Sequence, residues 1–288
     1  MVVYLNGEFL PRSEAKVSVE DRGFIFGDGV YEVWRVVHGR LFESARHYAR
    51  LEHGLGELRI SAPPSATPEG LRAIAERLLA ENDLVRGEAT FYVEVTRGTA
   101  PRTHSFPPAG TSATLFAMVN ALVPPEAIRA SGASIITLPD VRWLRCNVKT
   151  LQLLPNVLAK QAAAERDAIE GVFVRDGVIT EGSHTNVVGV LAGEIRTHPL
   201  TNLILPGITR AVVLAIARDL GLPVRETPFV ERQLPQLDEL FLVGTTSDVM
   251  PIVRANDVTI GSGAPGPIAR RLQEAFRAYM DASCAAAA

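Results

Sequence analysis

Apolar and polar positions alternate with a period of two along several stretches of the first 121 residues, which predicts strands. Two of these strands meet at Asn6-Gly7, a dipeptide that favours the left-handed backbone of a tight hairpin turn. Apolar positions three and four residues apart predict two helices, one capped by Ser44 and one capped by Thr67 with Pro68 in its first turn. The predicted elements are a strand hairpin at 2–11, strands at 30–37, 40–42, 89–96 and 113–121, and helices at 44–59 and 67–82.

Pro124-Pro125 interrupts this pattern and predicts an interdomain linker at 122–126. The rest of the chain is richer in strand patterns, and Gly221 suits the left-handed cap that ends a helix. The predicted elements there are strands at 134–138, 171–179, 186–191 and 239–243, and helices at 155–168, 207–220 and 267–282. We therefore expect an α+β protein with a small N-terminal domain at 1–121 and a larger, sheet-rich domain at 127–288.

The composition is that of an ordinary globular protein and excludes several classes of function. Of the 288 residues, 47% are hydrophobic and 21% are charged, which argues against disorder, and the net charge of −3 argues against a nucleic-acid partner. No apolar run approaches the ~18 residues that span a bilayer, and no signal-peptide pattern opens the chain. Two cysteines and six scattered histidines indicate neither a disulfide framework nor a metal site. We expect a cytoplasmic protein.

The chain has only three lysines, so covalent amine chemistry has three candidates: Lys16, Lys149 and Lys160. Lys149 lies in the apolar segment Val-Lys-Thr-Leu-Gln-Leu-Leu, where its amine either reaches water or faces a cavity. A second segment, Glu181-Gly-Ser-His-Thr-Asn186, follows a predicted strand. Taken alone, its glutamate is compatible with an ordinary turn.

Two further segments have the character of phosphate sites. Leu205-Pro-Gly207-Ile208-Thr209-Arg opens a predicted helix, whose free N–H groups attract an anion, and Gly207 would permit close approach. Thr245 and Thr246, after a predicted strand, could add amide and hydroxyl donors to such a site. Arg50 could add a bidentate contact with the phosphate. Each segment also has a plain explanation as a turn, a cap or surface.

Together these segments resemble the fold-type IV pyridoxal-phosphate enzymes, the family of D-amino-acid and branched-chain aminotransferases. The resemblance extends along nearly the whole chain and includes Phe26-Gly-Asp-Gly-Val-Tyr31-Glu32. It implies a two-domain fold with pyridoxal 5'-phosphate at the domain interface. It also implies that Lys149 forms the Schiff base and moves the proton, and that Glu181 bonds the pyridine nitrogen.

The resemblance assigns the other positions as well. It implies that the phosphate is held by Arg50, Ile208, Thr209 and Thr245, with Gly207 at the same helix start, that Leu205 packs on the ring, and that Tyr31 and Thr246 lie on the substrate side. Arg102 and His104 match the Arg-x-His pair with which D-amino-acid aminotransferases bind the substrate α-carboxylate from the partner subunit. Two residues apart in an extended segment, their side chains point the same way.

The implied reaction is ping-pong transamination between D-amino acids, such as D-alanine and D-glutamate, and 2-oxo acids, in a homodimer with a shared active site. Three positions depart from the pattern of the family and concern the substrate range. They are Val188, His184 and Trp34, of which we expect Trp34 to narrow the side-chain pocket.

The alternatives are a branched-chain L-amino-acid aminotransferase, an (R)-amine transaminase, an aminodeoxychorismate lyase, and a binding protein without activity.

Overall fold

The computed structural model describes residues 1–285, and its contacts divide the chain into two compact units. The first unit contains Met1–Val123, Val148–Gln152 and the described residues from Ser283 onward. The second unit contains Pro124–Asn147 and Leu153–Ala282. The segment at 148–152, which the sequence places in the second domain, groups with the first unit because its backbone pairs there. Tyr31 N donates to Lys149 O at 3.0 Å, and Leu151 N donates to Gly29 O at 3.1 Å.

The first unit is built on a six-stranded antiparallel sheet with two helices from the predicted pattern. The strands, in the order β2-β1-β6-β5-β3-β4, are β1 (Val2–Leu5), β2 (Glu8–Pro11), β3 (Gly29–Val37), β4 (Arg40–Leu41), β5 (Glu88–Thr96) and β6 (Thr114–Ala121). The helices are α1 (Arg22–Phe26), α2 (Ser44–Leu58) and α3 (Pro68–Glu81). As predicted, Thr67 caps α3, accepting a hydrogen bond from Gly70 N at 3.0 Å.

Alternation along β3 separates two kinds of residue. Val30 and Trp34 belong to the buried core that β3 and β5 share with α2 and α3. Tyr31, on the opposite face of the strand, is only half-buried. The expectation that Trp34 narrows a substrate pocket is wrong, because its side chain is 1% exposed and packs on Phe91 inside that core.

The second unit is a closed ring of six strands with three further strands attached. The ring runs β10-β13-β14-β7-β8-β9 and closes where β9 pairs with β10 through Glu181 and Asn186. The strands are β7 (Ala133–Pro139), β8 (Glu170–Arg175), β9 (Val178–Gly182), β10 (Asn186–Leu191), β11 (Glu194–Thr197), β12 (Val224–Arg225), β13 (Glu239–Gly244), β14 (Asp248–Ala255) and β15 (Val258–Thr259). The helices are α4 (Glu126–Ser131), α5 (Leu154–Ala164), α6 (Ile208–Asp219) and α7 (Pro267–Cys284), with a 3-10 helix at Glu231–Gln236.

Several elements differ from the sequence prediction. Ser44 is the first helical residue and not the cap of α2; the cap is Glu43, whose backbone is left-handed with a φ of 50°. Helix α5 ends at Ala164, four residues before the predicted end. The helices α1 and α4 and the strands β11, β12, β14 and β15 were not predicted. Among the described residues, no helix is long and apolar enough to cross a membrane.

Candidate active site

Lys149 lies in the first unit beside Tyr31, which the resemblance places on the substrate side. Its side chain is half-buried, and its Nζ is 4.1 Å from the centroid of the Tyr31 ring. The neighbouring residue Thr150 forms a β-bridge with Val30, so the lysine is carried on an extended segment that lines the end of β3. The amine therefore faces an aromatic ring at a fixed position rather than extending freely into water.

The other face of β3 carries a buried acid, Glu32, for which the sequence predicted no role. Glu32 is fully buried and accepts hydrogen bonds from Arg50 Nε at 2.9 Å and Arg50 Nη2 at 2.7 Å, with His47 Nδ1 3.0 Å away. Burial raises the pKa of Glu32, but Arg50 and His47 outweigh it and hold that pKa far below its usual range. The Nε–Nη2 edge of Arg50 thus binds Glu32 and is not available for the predicted bidentate phosphate contact. A phosphate role for Arg50 stays a prediction.

Arg102 and His104 lie on the exposed loop after β5. Both pack on Phe26: the Arg102 guanidinium is 5.4 Å from the centroid of that ring, and the His104 ring is 5.7 Å away. Tyr31 contacts different neighbours, Lys149 and Tyr92. The structure thus brings Arg102 together with His104 and Lys149 together with Tyr31.

Glu181 ends β9 in the second unit, where the ring of strands closes. Its Oε2 accepts hydrogen bonds from Leu205 N at 2.9 Å and Asn186 Nδ2 at 3.1 Å, and its Oε1 is 2.5 Å from Arg142 Nη1. The side chain is buried, and burial raises the pKa of Glu181 to about 7 although Arg142 and Leu205 act in the opposite direction. The carboxyl is therefore held in place by three donors while its charge is only partly compensated.

Arg142 was not predicted from the sequence. It is 9% exposed, and its Nε and Nη2 bind Asp140 at 2.9 and 3.0 Å, which leaves Nη1 for Glu181. One guanidinium is thus shared by two carboxylates, which explains why the negative charge of Glu181 is only partly compensated. The local signal was Asp140-Val-Arg142, an acid and a base two positions apart that point to the same side of an extended segment.

Helix α6 begins without a side-chain cap, which is compatible with an anion site at its N-terminus. Ile208 and Thr209 are buried in its first turn, after Gly207. A Cβ on Gly207 would lie 1.9 Å from Asn186 Oδ1. The space on this side of the glycine holds Asn186, which also binds Glu181 and donates to Leu205 O at 3.0 Å. The close approach of an anion to Gly207 stays a prediction.

Thr245 and Thr246 form a half-buried turn between β13 and β14. The turn ends at Asp248, which has a left-handed φ of 52° and binds Arg129 Nη1 at 2.7 Å. The buried ion pair fixes the exit of the turn, and Ser247 N donates to Gly244 O within it at 3.2 Å.

The turn after Glu181 is held by a buried acid, Glu170, that the sequence analysis also missed. Its carboxylate accepts hydrogen bonds from Ser183 Oγ and from Thr185 Oγ1 and lies 2.8 Å from His184 Nδ1. Burial raises the pKa of Glu170, but His184 and Ser183 outweigh it and lower that pKa. Within the described residues, no cluster of three His, Cys, Asp or Glu side chains could hold a metal ion.

Comparison with known sequences gives one family and a consistent set of relatives. Residues 29–255 match the class IV amino-transferase family. The D-alanine aminotransferase of Bacillus licheniformis is 42% identical over 96% of this chain and 96% of its own length. That of Staphylococcus haemolyticus is 39% identical over 97% of this chain and 98% of its own length.

Solved structures with the same fold include branched-chain amino acid aminotransferases. The enzyme from Escherichia coli has a TM-score of 0.88 at 23% identity, covering 99% of this chain and 96% of its own. The enzyme from Thermoproteus uzoniensis, solved with norvaline, has a TM-score of 0.86 at 25% identity, covering 98% and 95%. A further branched-chain enzyme, complexed with N-(5'-phosphopyridoxyl)-L-glutamate, has a TM-score of 0.86 at 27% identity, covering 98% and 94%.

Proposed function

The chain belongs to the class IV aminotransferase family, and we propose that it transfers amino groups between D-amino acids and 2-oxo acids with pyridoxal 5'-phosphate as cofactor. The observation that carries this proposal is the likeness to D-alanine aminotransferases at 39–42% identity over almost the entire length of both chains. The branched-chain enzymes in solved structures are less similar in sequence, at 23–28% identity.

Two features of the second unit support the proposed cofactor. An under-compensated carboxyl, Glu181, suits a protonated ring nitrogen, and the uncapped start of α6 suits a phosphate. The two sites are joined through the chain, since Leu205 N binds Glu181 and α6 starts three residues later. When bound, the cofactor supplies an aldehyde that bonds covalently to amino groups and a ring that accepts the electron pair left by Cα–H cleavage.

The residues of the chain would then have separate roles in binding the cofactor. Glu181 would hold the ring nitrogen, with Arg142 and Asn186 fixing its two oxygens. Backbone N–H groups at Ile208 and Thr209, with Thr245, would hold the phosphate. Leu205 would pack on the ring.

Lys149 would bind the cofactor and carry the proton to and from the substrate Cα, a task that needs an amine able to lose its proton near neutral pH. The Tyr31 ring, 4.1 Å from Nζ, restricts where that amine can go. A fixed amine delivers a proton to one face of the substrate only, so the side on which the α-carboxylate is held decides the handedness.

We propose Arg102 and His104 as the donors that hold this carboxylate, with Tyr31 and Thr246 on the same side of the substrate. Both loop residues are exposed and side by side on Phe26, as donors offered to another surface would be. In accord with the resemblance, that surface would be the active site of a second subunit.

A homodimer is also favoured by an apolar row on α5. Leu154, Val157 and Leu158 are 69%, 59% and 60% exposed, and their spacing places them on one face of the helix. Exposed rows of this kind are typical of interaction surfaces. We further propose a cytoplasmic location, in keeping with the likeness to the D-alanine aminotransferases.

An absorption spectrum of the cofactor-loaded protein tests the proposal. D-alanine added without an oxo acid should convert the bound cofactor and abolish its visible band, and L-leucine should leave the band unchanged. A response to L-leucine alone would replace the proposal by the branched-chain alternative. Release of pyruvate from aminodeoxychorismate, with no response to either amino acid, would replace it by the lyase.

A further inference from the structure

A buried arginine holds the loop that carries Arg102 and His104. Arg22, in α1, is 4% exposed, and its Nη1 donates to Thr103 O at 2.8 Å and to Ser105 O at 3.4 Å. These two carbonyls lie on either side of His104. One guanidinium group therefore fixes the backbone before and after the histidine, although 81 residues separate Arg22 from the first of them.

Asp28 orients this arginine. Its Oδ2 accepts from Arg22 Nε at 2.8 Å, and its two oxygens also receive Arg97 Nε and Nη2 at 2.8 and 2.9 Å. Burial raises the pKa of Asp28, but the hydrogen bonds and charges of Arg97 and Arg22 outweigh it and lower that pKa. The carboxylate stays ionised and joins α1 to the start of the loop.

Arg97 anchors that start to the backbone of the unit. It is 8% exposed, and its Nη1 and Nη2 donate to Arg59 O at 2.9 Å and Leu58 O at 2.7 Å. The loop thus leaves β5 from a rigid point.

Phe26 supports the two side chains themselves. Its ring centroid lies 4.8 Å from the Arg22 guanidinium, 5.4 Å from that of Arg102 and 5.7 Å from the His104 ring. A single ring is therefore shared by the buried anchor and by both exposed donors.

We propose that Arg22 and Asp28 are positioning residues for recognition of the substrate α-carboxylate. They do not touch the substrate. They hold Arg102 and His104 in one arrangement, so that substrate binding does not have to include the conformational entropy lost on ordering the loop. This inference rests on the proposed function of Arg102 and His104.

The test uses the full-length, cofactor-loaded protein with Arg22→Lys, because lysine keeps the charge beside Asp28 but has no second nitrogen for the loop carbonyls. We expect KM for D-alanine to rise about tenfold or more while kcat changes much less, since a lost charged hydrogen bond has this magnitude. Methoxyamine, which attacks the cofactor but has no carboxylate, should react at the wild-type rate. Arg72→Lys, at an exposed position of α3, is the matched control.

A second readout does not depend on activity. Hydrogen exchange of the amides at 99–106 should become faster in Arg22→Lys and stay unchanged in Arg72→Lys. If Arg22→Lys does not fold, Asp28→Asn provides the same comparison, because it removes the charge that orients Arg22 and leaves the arginine itself.

The outcomes separate the two proposals. A wild-type protein that does not respond to D-alanine overturns the proposed function. A responsive wild type whose Arg22→Lys variant keeps its KM and its loop exchange overturns the positioning role. Equal losses toward D-alanine and methoxyamine would also overturn it, because they would indicate general damage.

Discussion

Replacing Glu181 by glutamine should remove a pH-dependent loss of stability from the cofactor-free protein. The carboxyl is buried, shares Arg142 with Asp140, and has its pKa raised from 4.5 to about 7. Between these two pH values the folded protein binds the proton more tightly than the unfolded chain does. The free energy of unfolding therefore falls as the pH rises, and the contribution of the protonated group is lost as the pH passes through about 7.

The size of the effect follows from the shift. A difference of about 2.5 pKa units, at about 1.4 kcal/mol each, corresponds to about 3–4 kcal/mol in total. Most of this change, roughly 2–3 kcal/mol, falls between about pH 5 and pH 8. Glutamine does not titrate, so the difference between wild type and Glu181→Gln isolates this contribution from all other titrating groups.

Urea unfolding of both proteins without cofactor, at several pH values between about 5 and 8, measures the difference. Wild type should lose about 2–3 kcal/mol more than the variant across the range. Glu165→Gln, at an exposed carboxyl at the end of α5, should show no such difference from wild type. A wild type that instead gains stability relative to Glu181→Gln as the pH rises would refute the reasoning, since Arg142 would then dominate over burial.

Borohydride reduction makes the bond between the cofactor and its lysine permanent, so that mass spectrometry can detect it. Lys149→Ala should abolish this attachment, whereas Lys160→Ala should retain it. Attachment in Lys149→Ala would place the bond at another residue. Arg102→Ala should raise KM for D-alanine far more than it slows methoxyamine, and equal effects would exclude a carboxylate role. Gly207→Ala should displace Asn186, lower the free energy of unfolding by about 1–3 kcal/mol in urea and weaken cofactor binding in a titration, because its Cβ would lie 1.9 Å from the amide oxygen. If Gly207→Ala bound the cofactor as tightly as wild type, the position of Asn186 would not matter for cofactor binding.

Local signals in the sequence predicted much of the fold. Asn6-Gly7 turns between β1 and β2, and Thr67 and Pro68 start α3, because short-range backbone preferences determine these positions. Strand β14 was missed because it is buried along most of its length and has no alternating pattern, and Pro251 lies inside it. The α+β prediction and the family resemblance are confirmed by the comparisons.

The site was predictable only in part. The family resemblance indicated Lys149 and Glu181, and their roles stay predictions. Arg142, Glu32 and Glu170 were missed because their partners are brought to them by the fold: Arg142 is 39 residues from Glu181, for example. Sequence patterns show which residues repeat along an element, not which charges meet across a barrel.

The strand ring of the second unit closes at a single rung formed by Glu181 and Asn186. If this rung were lost, the ring would become an open sheet in which β11 still pairs with the rest of β10, and Glu181 would be separated from the Asn186 amide that donates to it. Closing the strand ring and bringing together the pair proposed to bind the pyridine nitrogen are thus one step of assembly. Retention of the cofactor would then indicate that the strand ring is closed.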